Sequence, residues 1–300
     1  VVLSTGSSFP NSFSGNHVFS TAPANALPTA TRLGLSVNTT YFLFINAINH
    51  TGIASAYTDL GAMSTLALPP NTIASTFSTL GTGGFSAGWN ANGNAVDITT
   101  YTVRVSTDLN NFSAAYAQSF TTAPAGPTPQ YTFTGLQPNT TYFFRANAIN
   151  NNGLASAFTN LGSTATLAVP PAAAASNFGL INISSFTAFW SDNGNGISVT
   201  TYTVQISTDI NDFGALYSVT AATTPAGAVP QYTFSGLQSN TTYFFQVRAL
   251  NHNNIPTAYV PLGSTSTLAN IPGTAVTTFT AVDISSMSVA WGTGNNAVSL

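Results

Sequence analysis

The sequence predicts an all-β chain of tandem antiparallel β-sandwiches strung into an elongated rod. Asn-Thr-Thr-Tyr occurs at Asn38, Asn139 and Asn240, at a constant step of 101 residues. Trp89, Trp190 and Trp291 keep the same step, as do Leu66, Leu167 and Leu268. A strict period marks one structural unit copied along the chain, and a unit of this length can bury its own core. Between these landmarks apolar residues alternate over short runs, with turns every roughly 8–12 residues and no helical period.

The central copy shows the elements in order. Pro69-Pro70 opens it, as Pro170-Pro171 opens the next copy and Ile271-Pro272-Gly273 marks the third junction. After Thr76-Phe77, the residues Phe85, Ala87 and Trp89 share one face at period two. Asn90 to Asn94 is rich in Asn and Gly and reads as a turn. Ile98 leads into Tyr101, Val103 and Val105, which alternate until Asp108 to Asn111 breaks the run. Tyr131-Thr132-Phe133 is a further short strand. Tyr142, Phe144, Ala146 and Ala148 then alternate, Asn150 to Gly153 turns, and Ser163 to Leu167 closes the unit.

The run Gly135-Leu136-Gln137-Pro138-Asn139-Thr140-Thr141-Tyr142, continued by Phe144, Ala146, Ala148 and Asn150, resembles the signature of fibronectin type III domains. Trp89 matches that family's core tryptophan, and Ile98, Tyr101 and Val103 match its third strand. The third copy repeats the corner with Ser239 in place of the proline. The first copy also lacks the proline and carries Arg32 where the others have Phe133 and Phe234, which implies looser packing there. The resemblance implies an immunoglobulin-like sandwich throughout. Residues 1–67 form an incomplete domain of later strands, 68–168 and 169–269 complete domains, and 270–300 an incomplete domain of first strands.

Ser4-Thr5 aligns with Ser106-Thr107, which places Val1 opposite Val103, and Leu300 falls opposite Val199. Two explanations stay open. The chain is a segment of a longer array of like units, or copies associate head to tail, one chain's last strands completing the first sandwich of the next.

Composition narrows the functions. Charged residues make up 4% of the chain, against ~25% in ordinary soluble domains. The four cations are arginines, the seven anions aspartates, and the net charge is −3. No basic patch exists to neutralise phosphates, so nucleic acid is not an expected partner. Without cysteine there are no disulfides or thiolate metal sites. No apolar run approaches the ~20 residues of a membrane span.

Candidate chemistry is sparse. His50 and His252 occupy equivalent loop positions, where the central copy has Asn151, and that exchange argues for solvated loop residues. Glu is absent, and no Ser or Thr has an evident His–Asp partner, so no catalytic residue and no cofactor is expected. Asp209 and Asp212, around Asn211, suit turn capping better than calcium, and no metal is expected there. Sequons stand at Asn38, Asn49, Asn111, Asn139, Asn182 and Asn240, each a possible glycosylation site.

If Tyr142, Phe144 and Ala146 face the core, then Phe143, Arg145 and Asn147 face away. Phe42 and Phe244 hold the place of Phe143 in the other copies, giving a recurrent aromatic stripe. Phe42, Phe143 and Phe244, with His50, Asn151 and His252, form the candidate interaction surface. Few charges are available to blunt sheet edges, which favours association with other chains. The expected partners are copies of the chain, lateral or head to tail, or other surface proteins or glycans. The expected function is that of an extracellular or cell-surface structural protein, a segment of an array forming or decorating a filament, fibre or sheath. The alternatives are an adhesive module using the last hairpin loops, or a non-catalytic spacer of a large secreted enzyme.

Overall fold

A computed structural model describes residues 1–9, 16–21, 28–96, 98–113, 117–122, 126, 128–214, 218–225, 227 and 229–296. Leu300, used to align the tail, lies outside them. Every regular element among them is a strand. The chain falls into two compact units.

The first unit comprises Val1–Leu80, Gly84–Thr134 and Tyr142–Thr164. Its leading sheet has the order β2-β1-β3-β4, formed by β1 (Val2–Ser4), β2 (His17–Val18), β3 (Thr40–Ile45) and β4 (Thr58–Ser64). A complete sandwich follows. One sheet joins β5 (Phe77–Ser78), β6 (Gly84–Gly88) and β9 (Gln130–Thr134), with β6 in the middle. The other runs β11-β10-β7-β8, from β7 (Thr100–Ser106), β8 (Gln118–Thr122), β10 (Thr141–Ile149) and β11 (Thr159–Ala165). The alternation read from the sequence is the inward face: Phe85, Ala87, Trp89, Tyr101, Val103, Val105, Tyr142, Phe144, Ala146 and Ala148 are all buried. Ring contacts join the sheets, with Trp89 5.4 Å from Tyr101 and 5.9 Å from Phe144 between centroids. Such edge-to-face and tilted pairs add to the area they bury.

The second unit comprises Gly81–Gly83, Gly135–Thr141 and Ala165–Leu300. Its sandwich repeats the plan. The sheet β12-β13-β16 is built from β12 (Ala172–Gly179), β13 (Ser185–Ser191) and β16 (Gln231–Ser235). Facing it is β15-β14-β17-β18, from β14 (Thr201–Ser207), β15 (Val219–Thr223), β17 (Thr242–Leu250) and β18 (Val260–Ser266). Trp190, Tyr202, Phe234 and Phe245 sit in one core cluster. A last two-stranded sheet pairs β19 (Gly273–Val282) with β20 (Met287–Gly292). Trp291 on β20 is 68% exposed, whereas Trp89 and Trp190 at the same step are fully covered. Among the described residues this hairpin has no opposing sheet to bury that ring against.

Three expectations change. Ile98 does not begin a core strand: it lies in the turn before β7 and is exposed. Asn147 is on the outward register but is buried, its Nδ2 donating to the Ser156 carbonyl at 3.2 Å. The closing strand runs Thr159–Ala165 rather than from Ser163 to Leu167, because the Thr166 and Leu167 N–H groups turn to the carbonyls of Thr140 and Gly81. Arg32 is exposed, with its Nη2 3.2 Å from the His17 Nδ1.

Burial pushes the Tyr202 phenol up to about 12, the Asp192 charge adding to it, while Thr200 and Trp190 lie close enough to temper the shift without reaching hydrogen-bond geometry. The fold favours the neutral phenol. Its contribution is complete below the ordinary value near 10 and is lost as pH rises from there through about 12. Urea unfolding should therefore show a stability loss over that window, and Tyr202→Phe should make the loss smaller. An identical alkaline profile in the variant would rule out this source.

Candidate interaction surface

Asparagine is the residue that organises the joints. At the corner before β3, Asn38 adopts φ 43°, and Asn139 before β10 adopts φ 44°. This left-handed region is tolerated by Asn better than by other non-glycine residues. The bend turns both amides toward the next copy. Asn38 Nδ2 donates to Thr99 Oγ1 at 2.8 Å, and its Oδ1 accepts the Asn151 N–H at 3.0 Å. In the second unit Asn139 Nδ2 donates to Thr200 Oγ1 at 2.9 Å, and its Oδ1 accepts the His252 N–H at 3.0 Å. The pattern repeats residue for residue.

Two further asparagines at the same step complete each joint. Asn150 Nδ2 donates to the Thr65 carbonyl and Asn251 Nδ2 to the Thr166 carbonyl, both at 3.2 Å. Their Oδ1 atoms hold their own loops by accepting from Leu154 and Ile255. Asn94, Asn195 and Asn296 clip the connecting segment: each Oδ1 accepts from, and each Nδ2 donates to, the backbone of Leu68, Val169 and Asn270 respectively. The rest of the corner explains the Asn-Thr-Thr-Tyr spacing. Thr39, Thr140 and Thr241 donate to carbonyls two residues back, and the Tyr41 and Tyr243 hydroxyls accept from the N–H of Ser36 and Gln238.

These joints revise the sequon reading. Asn38 and Asn139 are buried, with the amide nitrogen that a glycan would occupy already bonded, so neither is a glycosylation site in the folded chain. Asn49, Asn111, Asn182 and Asn240 are exposed. Asn151 and His252 are also engaged within the chain. Beyond their backbone bonds, the Asn151 Nδ2 lies 3.3 Å from Thr40 Oγ1, and the His252 Nδ1 3.0 Å from Thr141 Oγ1. His50 sits exposed in the first loop.

Phe42, Phe143 and Phe244 take equivalent places on β3, β10 and β17, each opposite a serine: Ser4, Ser106 and Ser207. Each ring is half-buried. Asp209 and Asp212 accept turn hydrogen bonds from the N–H of Asn211 and Gly214, both at 2.8 Å. Among the described residues, no three His, Asp or Glu side chains gather as a metal set.

The outward face of β7 and β10 carries a feature that the sequence reading missed. Arg104 and Arg145 are directly opposite one another. Arg145 is stacked between Phe112 and Phe158, its Cζ 3.8 and 4.4 Å from the ring centroids, and Arg104 Cζ lies 5.0 Å from the same Phe158 ring. The signal was the pair of arginines in a chain holding only four, visible once β7 and β10 are put in register.

Comparison with known proteins agrees with this architecture. Residues 69–160 match the model of the Fibronectin type III domain. Among curated proteins no sequence matches the chain. Similar solved structures include the following two. The FN1-FN3 domains of chicken CNTN1 share 18% identity over 77% of this chain and 78% of theirs, with a TM-score of 0.27. A two-domain fibronectin type III segment of chicken tenascin shares 14% over 66% of this chain and 99% of its own, with a TM-score of 0.40. Residues 69–160 thus match a fibronectin type III domain, and the corner, the core tryptophan and the paired sheets recur at the 101-residue step, so the chain carries tandem β-sandwich domains on that plan.

Proposed function

We propose that the chain is a structural segment of an extracellular repeat array that forms or decorates a surface filament, fibre or sheath. The observation that carries this reading is the repeated joint. Successive copies are held by the same neutral amide bonds, Asn38 to Thr99 and Asn139 to Thr200. A chain whose copies differ in their charged and histidine residues yet retain their joints spends its sequence on connection rather than chemistry. The fibronectin type III family, which residues 69–160 match, is generally non-catalytic. Among the described residues, no helix is long and apolar enough to cross a membrane.

Copies of the chain are the partners this reading favours, through the row of Phe42, Phe143 and Phe244. Electron microscopy of the native material should show regular filaments or a sheath. Isolated flexible threads would refute the reading. Phe42→Ser, Phe143→Ser and Phe244→Ser together should weaken lateral association at least several-fold by light scattering, with each domain still folded by circular dichroism. Unchanged assembly would remove the row from the interface.

Adhesion through the last hairpin loops is the second reading. It is favoured by exposed Ile53, Leu154 and Ile255, which present one apolar side chain per loop.

A further inference from the structure

We propose that Arg104 and Arg145 form a seat for one oxyanion, a carboxylate or a sulfate, on the outward face of β7 and β10. The cross-strand position they occupy is filled differently in each copy. In the first it is Val2 opposite Phe44, both buried beneath an apolar cluster in which Phe9 packs on Phe44 at 5.4 Å and on Tyr57 at 4.4 Å. In the third it is Gln205 opposite Gln246, and the two close on each other, Gln246 Nε2 donating to Gln205 Oε1 at 2.7 Å. Each of those pairs satisfies itself. The arginine pair does not.

Like charges directly opposite on neighbouring strands repel. Burial lowers the affinity of Arg145 for its proton and the Arg104 charge lowers it further, with no carboxylate among the described residues to offset either. Arg145 Nε is buried without a partner, so that edge is closed, and the donors left to it are the two terminal nitrogens. Arg104 Nε is taken by Ser119 Oγ at 3.1 Å, which likewise leaves its terminal nitrogens. The Phe112 and Phe158 rings fix the Arg145 plane, and Phe158 brings both guanidinium groups to one ring. Two held guanidinium groups whose terminal donors have no partner among the described residues match an oxyanion, which removes the repulsion and accepts several charge-assisted bonds. Two sources carry such a group: a free small anion and an aspartate of a second copy.

The test uses the ¹⁵N-labelled 300-residue protein and the Nε–Hε resonances of its four arginines, each assigned by its Arg→Gln variant. Sodium acetate and sodium sulfate are titrated against sodium chloride at equal ionic strength. The Arg104 and Arg145 signals should shift saturably, with a half-saturation at least tenfold lower for acetate or sulfate than for chloride, while Arg32 and Arg248 follow the chloride curve. Four signals moving together, or no preference over chloride, overturns the site. The paired variant Arg104→Gln with Arg145→Gln installs the self-satisfying pair of the third copy. It should fold with an unchanged or higher melting temperature and lose at least tenfold in sulfate-induced shift at the neighbouring Ser119 amide. Retention of that shift also overturns the site. Sedimentation at low salt then separates the sources. Self-association dissolved by sulfate and absent in the paired variant assigns the second copy, whereas a monomer in both, alongside the saturable shift, assigns the free anion.

Discussion

Asn139→Ala is expected to destabilise the second unit by about 3 kcal/mol, although it deletes one small polar side chain. The His252 N–H loses its acceptor and Thr200 Oγ1 loses its donor at a buried position. Stranded buried polar groups cost ~1–3 kcal/mol each. Alanine must also hold φ 44°, a left-handed conformation costing about 1 kcal/mol for a residue with Cβ. Asn139→Gly separates the two causes, since glycine accepts the bend and loses only the amide. It should recover about 1 kcal/mol of the loss. A double-mutant cycle with Thr200→Val, measured by urea unfolding, should give a coupling of about 1 kcal/mol. Coupling within error would show that the amide does not hold the joint.

Trp190→Ala is the larger effect, about 3–5 kcal/mol, from loss of a fully buried indole that packs at 5.3 Å on Tyr202 and 6.0 Å on Phe245. Trp190→Phe should cost far less than the alanine change, because the indole Nε1 is buried with no hydrogen-bond partner and its removal relieves an unsatisfied donor. Trp291→Ala, at the same place in the repeat, should stay within about 0.5 kcal/mol, since that ring is exposed. Calorimetry on the three variants decides it. Equal losses at Trp190 and Trp291 would mean that the last hairpin is covered by an apolar partner in solution.

Much of the fold was legible because the core faces alternate cleanly. Trp89, Tyr101, Val103 and Phe144 all point where period two places them. The strands that escaped notice have weak patterns of their own. Gln118–Thr122 has Phe120 as its only large apolar residue, and Ala172–Gly179 opens with four alanines. Ile98 misled because an isoleucine two residues before a strand looks like its first inward residue. The joints were the least readable part. Asn139 belongs at once to a sequon, a tyrosine corner and a turn, and its partners Thr200 and His252 lie 61 and 113 residues further along. No local pattern links positions so far apart. The arginine seat was hidden for the same reason, since Arg104 and Arg145 become neighbours only through strand register.

The joints have a consequence for how such a chain can grow. Each coupling is specified by a donor and an acceptor on the trailing corner and their complements on the leading loops, and the same set stands at Asn38 and at Asn139. The parts are interchangeable: a copy from one place in the chain carries the fittings needed at another. Because the coupling is made of amides and hydroxyls rather than ions, the fit does not depend on the charges a copy bears. Whole units can therefore be duplicated, deleted or exchanged with no redesign at the seams. The surfaces between seams remain free to diverge, as the valine–phenylalanine, arginine–arginine and glutamine–glutamine pairs on one sheet face already have.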